Sequence, residues 1–418
     1  MPISGPGWSR REIRKMSETF QPQRIAVRVK RKAVAAIRQG HPWLFEDSVE
    51  RYSKEPRSGD VAVLFDPDGK LLGAGLCDPS SAVRVRVMAH GAGAPPVGPE
   101  LFAFLVEKAR TRREGKIPGG TTAWRLIHGE SDGFSGLVAD KYDDTLVLKI
   151  YSAAFLPHIP AIITALQNAY PELTATVIRL SRELARSQDE YHDGDILPSS
   201  APWIKTFREN GIRFKADLRT GQKTGFFLDQ RDNRSRVEKL SAHRHVLNVF
   251  SFSGGFSLYA ARGGAETVTS IDFDKHAIAA CDEHFAMNRE TGTIRNCRHT
   301  GIVGDAFEEM RKLAKAGRQY GLVIVDPPSF AKSSAEKSTA LHSYAALAKA
   351  AVKLLGRNGI LVFASCSSRV TADDLFPVIR QAAGDTLEVF DQTFHAPDHP
   401  SDFPESAYLK CLWMRKVR

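Results

Sequence analysis

Two strings hold the residue types best suited to chemistry: Asp326-Pro327-Pro328-Ser329-Phe330 and Ser365-Cys366-Ser367. Each follows a short apolar run, Leu322-Val323-Ile324-Val325 in the first case and Ile360-Leu361-Val362-Phe363 in the second. Such runs read as strands buried on both faces of a parallel sheet. Ligands of open α/β sheets bind outside the carboxyl ends of those strands. A carboxylate beside a rigid Pro-Pro turn can hydrogen-bond the edge of a flat heteroaromatic ring. A thiol at a second strand end can attack a carbon of that ring.

A cofactor site reads upstream of both strings. His245-Val246-Leu247-Asn248-Val249-Phe250 forms a strand and runs into the turn Ser251-Phe252-Ser253-Gly254-Gly255, which leads into an Ala-rich helix. Glycines there let a ligand approach backbone at a helix N-terminus. Asp272 closes the next strand, Val268–Ile271, and suits the two hydroxyls of a ribose. Asp305 follows a third strand and suits an adenine amino group. The pattern is not G-x-G-x-x-G and carries no pyrophosphate clamp, which disfavours a dinucleotide. An adenosine-bearing cofactor without phosphates remains, S-adenosylmethionine, with Phe252, Ser253, Gly254, Gly255, Asp272 and Asp305 as its candidate contacts. The plainer readings are an ordinary strand-to-helix turn and an Asp272 that only caps a helix.

The elements that must position these residues fall into three expected domains behind a flexible basic tail, 1–23. From 205 to 418, strands alternate with helices, the mark of a doubly wound, Rossmann-like parallel sheet. From 24 to 95 the signals are β throughout: Ile25–Lys30 and Val83–Val87 alternate apolar and basic residues, and Leu71-Leu72-Gly73-Ala74-Gly75-Leu76 has glycines where backbones could approach closely. That stretch reads as a small β-barrel. Arg28, Lys30, Arg84 and Arg86 lie on its outer face if the valines are buried, as phosphate contacts or as a solvated face. A Gly/Pro-rich linker follows, and residues 100–200 read as a small α+β middle domain. The fold class is therefore multidomain.

Composition bounds the rest. The 418 residues exceed one ordinary core, and 42% hydrophobic with 25% charged is globular. A net charge of +10, with 13 Lys or Arg against 7 Asp or Glu in residues 1–60, points to an anionic partner such as nucleic acid. Five scattered cysteines without C-x-x-C spacing argue against a disulfide framework or a zinc site and for a reducing compartment. No apolar run reaches the roughly 18 residues of a membrane helix, and the basic, polar N-terminus lacks a signal core. A cytoplasmic protein that binds no membrane is expected.

From Arg24 to the C-terminus the chain resembles bacterial large-subunit ribosomal RNA cytosine-carbon-5 methyltransferases with an N-terminal PUA domain. The likeness is carried by His41-Pro42-Trp43-Leu44-Phe45, Gly129-Glu130-Ser131-Asp132-Gly133-Phe134-Ser135-Gly136-Leu137, the segment Lys223–Arg234, the two opening strings and His399-Pro400. It implies a PUA-like RNA-binding barrel and an S-adenosylmethionine-dependent methyltransferase domain. Gly254 and Gly255 would then line the cofactor's amino-acid end, Asp272 the ribose and Asp305 the adenine. Gln230 and Arg231 would touch the cofactor. Asp326 would stand between cofactor and target base, with Pro327, Pro328 and Phe330 beside the base. Cys366 would be the nucleophile. The family often forms homodimers, and relatives in its superfamily methylate guanine at nitrogen 7.

Rival readings stand beside these. Adenine-N6 methyltransferases use an Asn/Asp-Pro-Pro-aromatic turn, although Ser329 interrupts that pattern here and such chemistry needs no thiol. Another rival is a ribosome-assembly RNA-binding protein with a degenerate cofactor site. An arbitrary cysteine is usually a buried hydrophobe; the flanking serines and the strand-end position argue otherwise for Cys366, not for Cys77, Cys281, Cys297 or Cys411. Trp43 and Phe45 read as core before RNA-stacking rings, and His41 and His399 as structural.

Overall fold

The computed structural model describes residues 21–91, 93, 95–331 and 333–417. Most of the expected tail, 1–23, lies outside the described residues. Contacts divide the chain into two compact units, one running to Arg208 and including Ala216–Leu228, the other formed by Glu209–Lys215 with Asp229–Arg418.

The first unit opens with β1 (Arg24–Val29), α1 (Arg31–Arg38), β2 (Trp43–Phe45), β3 (Val49–Tyr52), β4 (Val61–Phe65), β5 (Leu71–Cys77) and β6 (Val83–His90). The six strands form one sheet in the order β2-β6-β5-β4-β1-β3. Ile25, Val27 and Val29 alternate inward with Leu64, Leu72, Val85 and Val87 to fill its core. The all-β expectation for this stretch fails at α1. Three of its five apolar residues are alanines, and only Val34 and Ile37, one helical turn apart, are buried. The expected close approach is real. A Cβ at Gly73 would lie 2.3 Å from the Ala89 carbonyl oxygen, and one at Gly75 would lie 2.0 Å from that of Arg86.

The same unit continues with α2 (Pro99–Arg113), β7 (Ala123–His128), β8 (Leu137–Tyr142), β9 (Thr145–Ile150), α3 (Ile159–Ala169), β10 (Ala175–Leu180) and β11 (Asp195–Leu197). Its sheet runs β11-β10-β9-β8-β7. Leu101, Phe102 and Leu105 of α2 and Ile162 and Leu166 of α3 share one core with Leu146, Leu148 and Ile178. Trp43 Nε1 donates to Ser135 Oγ at 2.8 Å, joining two of the sequence motifs. Thr224 Oγ1 donates to Asp140 Oδ2 at 2.6 Å, and Phe226 N donates to the Tyr142 hydroxyl at 3.0 Å, which anchors the start of a third. A hairpin, β12 (Ile204–Glu209) and β13 (Ile212–Asp217), carries the chain onward.

The second unit holds α4 (Arg231–Lys239), β14 (His245–Val249), α5 (Gly255–Arg262), β15 (Thr267–Asp272), α6 (Lys275–Met287), β16 (Arg298–Val303), α7 (Ala306–Lys315), β17 (Tyr320–Val325), α8 (Lys337–Lys353), β18 (Leu355–Ser365), α9 (Ala372–Ala383), β19 (Leu387–Thr393) and β20 (Lys410–Lys416). The sheet order is β16-β15-β14-β17-β18-β20-β19. The first five strands are parallel, and β20 runs antiparallel to both its neighbours. The sheet is therefore mixed, where the alternation of strands and helices suggested a parallel one. Strand order reverses between β14 and β17, and a crevice opens at such a switch point. Val323, Val325, Leu361 and Phe363 pack under Ala340, Tyr344, Leu347, Ala348 and Ala351 of α8. Each large apolar side chain buried there contributes about 1.5–3 kcal/mol. Among the described residues no helix is long and apolar enough to cross a membrane.

Candidate active site

Strand register brings the strand-end residues together. Val249 pairs with Ile271 on one side and Val325 on the other. Val325 pairs with Phe363, and two residues later Ser365 pairs with Lys410. The 250–254 turn, Asp272, Asp326 and Cys366 thus leave neighbouring strands at one end of the sheet.

The turn after β14 is strained. Phe250 (φ +61°), Phe252 (φ +47°) and Gly254 (φ +80°) all occupy the left-handed region. For bulky residues this costs on the order of 1–3 kcal/mol each and collects at functional sites. Gly254 is also required by packing, since a Cβ there would lie 2.2 Å from Cys281 Sγ. His284, fully buried in α6, holds the turn from below: its Nδ1 lies 2.8 Å from the Ser253 carbonyl. Its Nε2 accepts from Lys215 N at 2.9 Å, with the Lys215 oxygen 3.2 Å away. Burial pushes this imidazole below its ordinary value. With Nε2 an acceptor, the proton belongs on Nδ1.

Four features of the turn fit S-adenosylmethionine. Ser251 Oγ and Ser253 Oγ are buried with no hydrogen-bond partner. Asp272 accepts one backbone N–H on each oxygen, from Phe252 at 2.8 Å and Asp274 at 3.0 Å, which leaves lone-pair capacity for hydroxyls. Asp274, not Asp272, caps α6, taking His276 N at 2.8 Å. Phe273 is 79% exposed directly after Asp272, an open ring for a base to stack on. The sequence reading passed over Phe273, although its place after the strand-end acid was the available signal. Asp305 caps α7 through Glu308 N at 3.0 Å, so its proposed adenine contact shares the carboxylate with a helix end.

Beside this turn stand Asp326 and Cys366. Gln230 Nε2 donates to Asp326 Oδ2 at 3.0 Å, and Asn233 Nδ2 holds Gln230 Oε1 at 2.6 Å. Gln230 is thus a brace for the acid. Arg231, expected on the cofactor, is 1% exposed and its guanidinium is bonded to Asp398 at 2.9 Å. Its Nε also meets Asp232 at 3.2 Å, while its buried Nη1 has no hydrogen-bond partner. Pro327 is buried, Pro328 exposed and Phe330 half-buried, its ring 5.0 Å from that of Tyr344. Tyr344 ties the two strings: its hydroxyl accepts from Ser365 Oγ at 3.1 Å while its ring packs on Phe330.

The five thiols divide sharply. Cys366 is partly exposed and the other four are buried. Burial pushes Cys77 and Cys281 up to about 12, Cys297 up to about 11, and Cys411 further still. Thiols so placed are inert.

The four basic residues of the barrel are tied to its own loops. Arg28 Nη1 donates to the Asp66 and Pro67 carbonyls at 2.8 and 2.9 Å, and Lys30 Nζ to Asp47 O at 3.0 Å. Arg84 pairs with Glu46, and Arg86, half-buried, reaches Ser81 Oγ at 3.3 Å. Phe45 is 40% exposed, against the core expectation, while Trp43 is half-buried. His399 is buried beside Asp398 and fits a structural role.

Comparison with known proteins gives the family and the fold. Residues 137–415 match the S-adenosylmethionine-dependent methyltransferase model and residues 27–90 a PUA-like domain. A ribosomal RNA large subunit methyltransferase of Deinococcus radiodurans is 41% identical over 94% of this chain and 97% of its own. A ribosomal RNA large subunit methyltransferase I of Klebsiella pneumoniae (strain 342) is 30% identical over 94% and 98%. In fold, the chain is similar to a structure described as an S-adenosylmethionine-dependent methyltransferase from Streptococcus mutans, with a TM-score of 0.76, 23% identity, and 93% and 99% of the two chains covered. Another structure, a methyltransferase complexed with S-adenosylhomocysteine, has a TM-score of 0.77 and 24% identity over 93% and 99%. The chain therefore belongs to the S-adenosylmethionine-dependent methyltransferases, in the PUA-domain branch whose named members are ribosomal RNA large subunit methyltransferases.

Proposed function

We propose that this protein methylates carbon 5 of a cytosine in large-subunit ribosomal RNA through a transient bond from Cys366 to carbon 6. The observation that carries the reading is the register that sets a partly exposed thiol and a braced carboxylate on adjacent strand ends, beside the turn with the orphan serines. The names of the relatives support the RNA, and the PUA-like domain and net charge of +10 support binding it.

Bound S-adenosylmethionine supplies an electrophilic methyl group. Carbon 5 of cytosine is too weak a nucleophile to take it unaided. Cys366 Sγ, as thiolate, adds to carbon 6, and the ring electrons move to carbon 5, which then accepts the methyl. Asp326, in its acid form, passes its proton to ring nitrogen 3 as the thiolate adds, leaving a carboxylate that Gln230 braces, and takes the proton back when the thiolate is eliminated. Loss of the carbon 5 proton to a base re-forms the ring double bond as the Sγ–C6 bond breaks and the thiolate leaves. On this reading Pro327, Pro328 and Phe330 shape the base site. Ser251, Ser253, Gly254, Gly255, Asp272, Phe273 and Asp305 hold the cofactor. Cytoplasmic residence and pairing into a homodimer rest on the family resemblance.

The test is methyl transfer to protein-free large-subunit RNA, mapping of the modified nucleotide, and trapping on RNA containing 5-fluorocytosine. A Cys366-dependent covalent adduct is expected. Methyl transfer that survives Cys366→Ala, with no adduct from the wild type, would point instead to a purine nitrogen. Absence of any affinity for S-adenosylmethionine would point to a non-catalytic RNA-binding role.

A further inference from the structure

The reading above needs Cys366 as a thiolate, and no residue of its own motif provides a positive charge. The antiparallel strand β20 does. Lys410 begins it, directly opposite Ser365, the residue before the thiol. Its side chain is 1% exposed, and its ammonium donates to the Ser367 carbonyl, one residue beyond the thiol, and to Tyr408 O at 3.0 Å. No carboxylate among the described residues lies in ion-pair range of it. A buried ammonium satisfied only by carbonyls is expensive and persists where something compensates it.

The acidic groups that act on this ammonium are few: Cys366, one residue before the carbonyl that Lys410 holds, and Asp374 of α9, whose carboxylate already pairs with Lys337 at 2.7 Å. On β20 itself Cys411 is fully buried and its thiol is pushed up. Burial lowers Lys410 to about 8, and negative charge on Cys366 is the leading influence in the other direction. Coupling of this kind is reciprocal: whatever the thiolate does to hold the ammonium charged, the ammonium does to hold the thiol ionised.

We propose that Lys410 is a positioning residue that fixes the Ser365–Ser367 turn and stabilises the thiolate of Cys366. The proposal rests on Cys366 being the nucleophile and assigns what activates it. Ser367 Oγ is buried and without a partner, so the turn is held at Ser365 Oγ by Tyr344 and at the Ser367 carbonyl by Lys410.

The experiment is pH-dependent alkylation of the full chain with iodoacetamide, read at Cys366 by peptide mass spectrometry. The four buried thiols serve as slow internal references. The wild-type midpoint is expected about one unit or more below the free-thiol value of roughly 8.5. Lys410→Met should raise the midpoint by at least about one unit and lower the single-turnover methylation rate at neutral pH about tenfold. Lys410→Arg, which keeps the charge, should stay near wild type. Lys410→Gln serves as a second neutral variant, and retained S-adenosylhomocysteine binding shows that each variant is folded. A wild-type midpoint at or above the free-thiol value overturns the proposal whatever the variants do. So does an equal midpoint in wild type and a folded neutral variant. A 5-fluorocytosine adduct with an unmoved midpoint sinks Lys410 and spares the cytosine reading; a moved midpoint with no adduct does the reverse.

Discussion

Gln230 Nε2 donates to Asp326 Oδ2 at 3.0 Å across 96 residues of sequence, so the acid of the Asp-Pro-Pro turn is aimed by a side chain from a different motif. Asn233 fixes the Gln230 amide in turn, which leaves its NH2 no choice but to face the carboxylate.

Replacing Gln230 with Leu should therefore harm the chemical step more than cofactor binding. A hydrogen bond to a charged group is worth about 1.5–3 kcal/mol, or about ten- to a hundredfold in rate. Single-turnover methyl transfer should fall by that factor while S-adenosylhomocysteine affinity, read by calorimetry, stays within a few fold. A rate within twofold of wild type would remove Gln230 from the positioning of Asp326.

Gly254→Ala combines a left-handed φ with a Cβ pressed on Cys281 Sγ. Overpacking and backbone strain together should cost about 2–4 kcal/mol in urea denaturation. Adding Cys281→Ala removes the sulfur contact but leaves the Cβ of residue 281 at 3.0 Å and the φ unchanged, so the double variant should recover only part of the loss. Full recovery would mean that the turn conformation itself carries no strain.

His284 makes the cofactor turn sensitive to acid. Its folded value lies below the ordinary imidazole value, so below roughly pH 6.5 the unfolded chain binds a proton that the folded chain refuses. Stability is full above that point and declines as pH falls from it toward the folded value. Buried His158, half-buried His299 and the more exposed His90 are shifted the same way and add to the slope. Melting temperature should drop between pH 7 and pH 5, and His284→Gln should flatten the decline by one proton's share. An unchanged slope in that variant would show that His284 is not among the groups responsible.

The Arg231–Asp398 pair is buried on both sides. Asp398→Ala leaves the buried guanidinium with the half-exposed Asp232, 3.2 Å from its Nε, as its remaining carboxylate and should destabilise the chain by about 3 kcal/mol, whereas Arg231→Met with Asp398→Leu should regain most of that. Equal stability of the single and double variants in denaturant titration would contradict this account.

What the sequence determined by itself is local. Apolar runs with a period of 2 or none announced the strands, and the residues that close them, Asp272, Asp326 and Cys366, marked the candidate site, because a parallel sheet presents ligands with strand ends. Even there a helix escaped at Arg31–Arg38, where only Val34 and Ile37 mark the buried stripe. The tertiary structure decided everything that depends on partners distant in the chain. Local periodicity does not reveal that β20 inserts antiparallel between β18 and β19. That insertion sets Lys410 opposite Ser365. Nor could Gln230 and Arg231, adjacent and both polar, be told apart before folding sent one to Asp326 and buried the other on Asp398, 167 residues away. The four barrel cations likewise looked free until the loops that fold back on them supplied carbonyls and a carboxylate. Side-chain type is a property of the chain, but which groups are desolvated together is a property of the packing. The burial of Lys410 against the Ser367 carbonyl, next to the candidate thiol, comes from that packing and is written in neither strand alone.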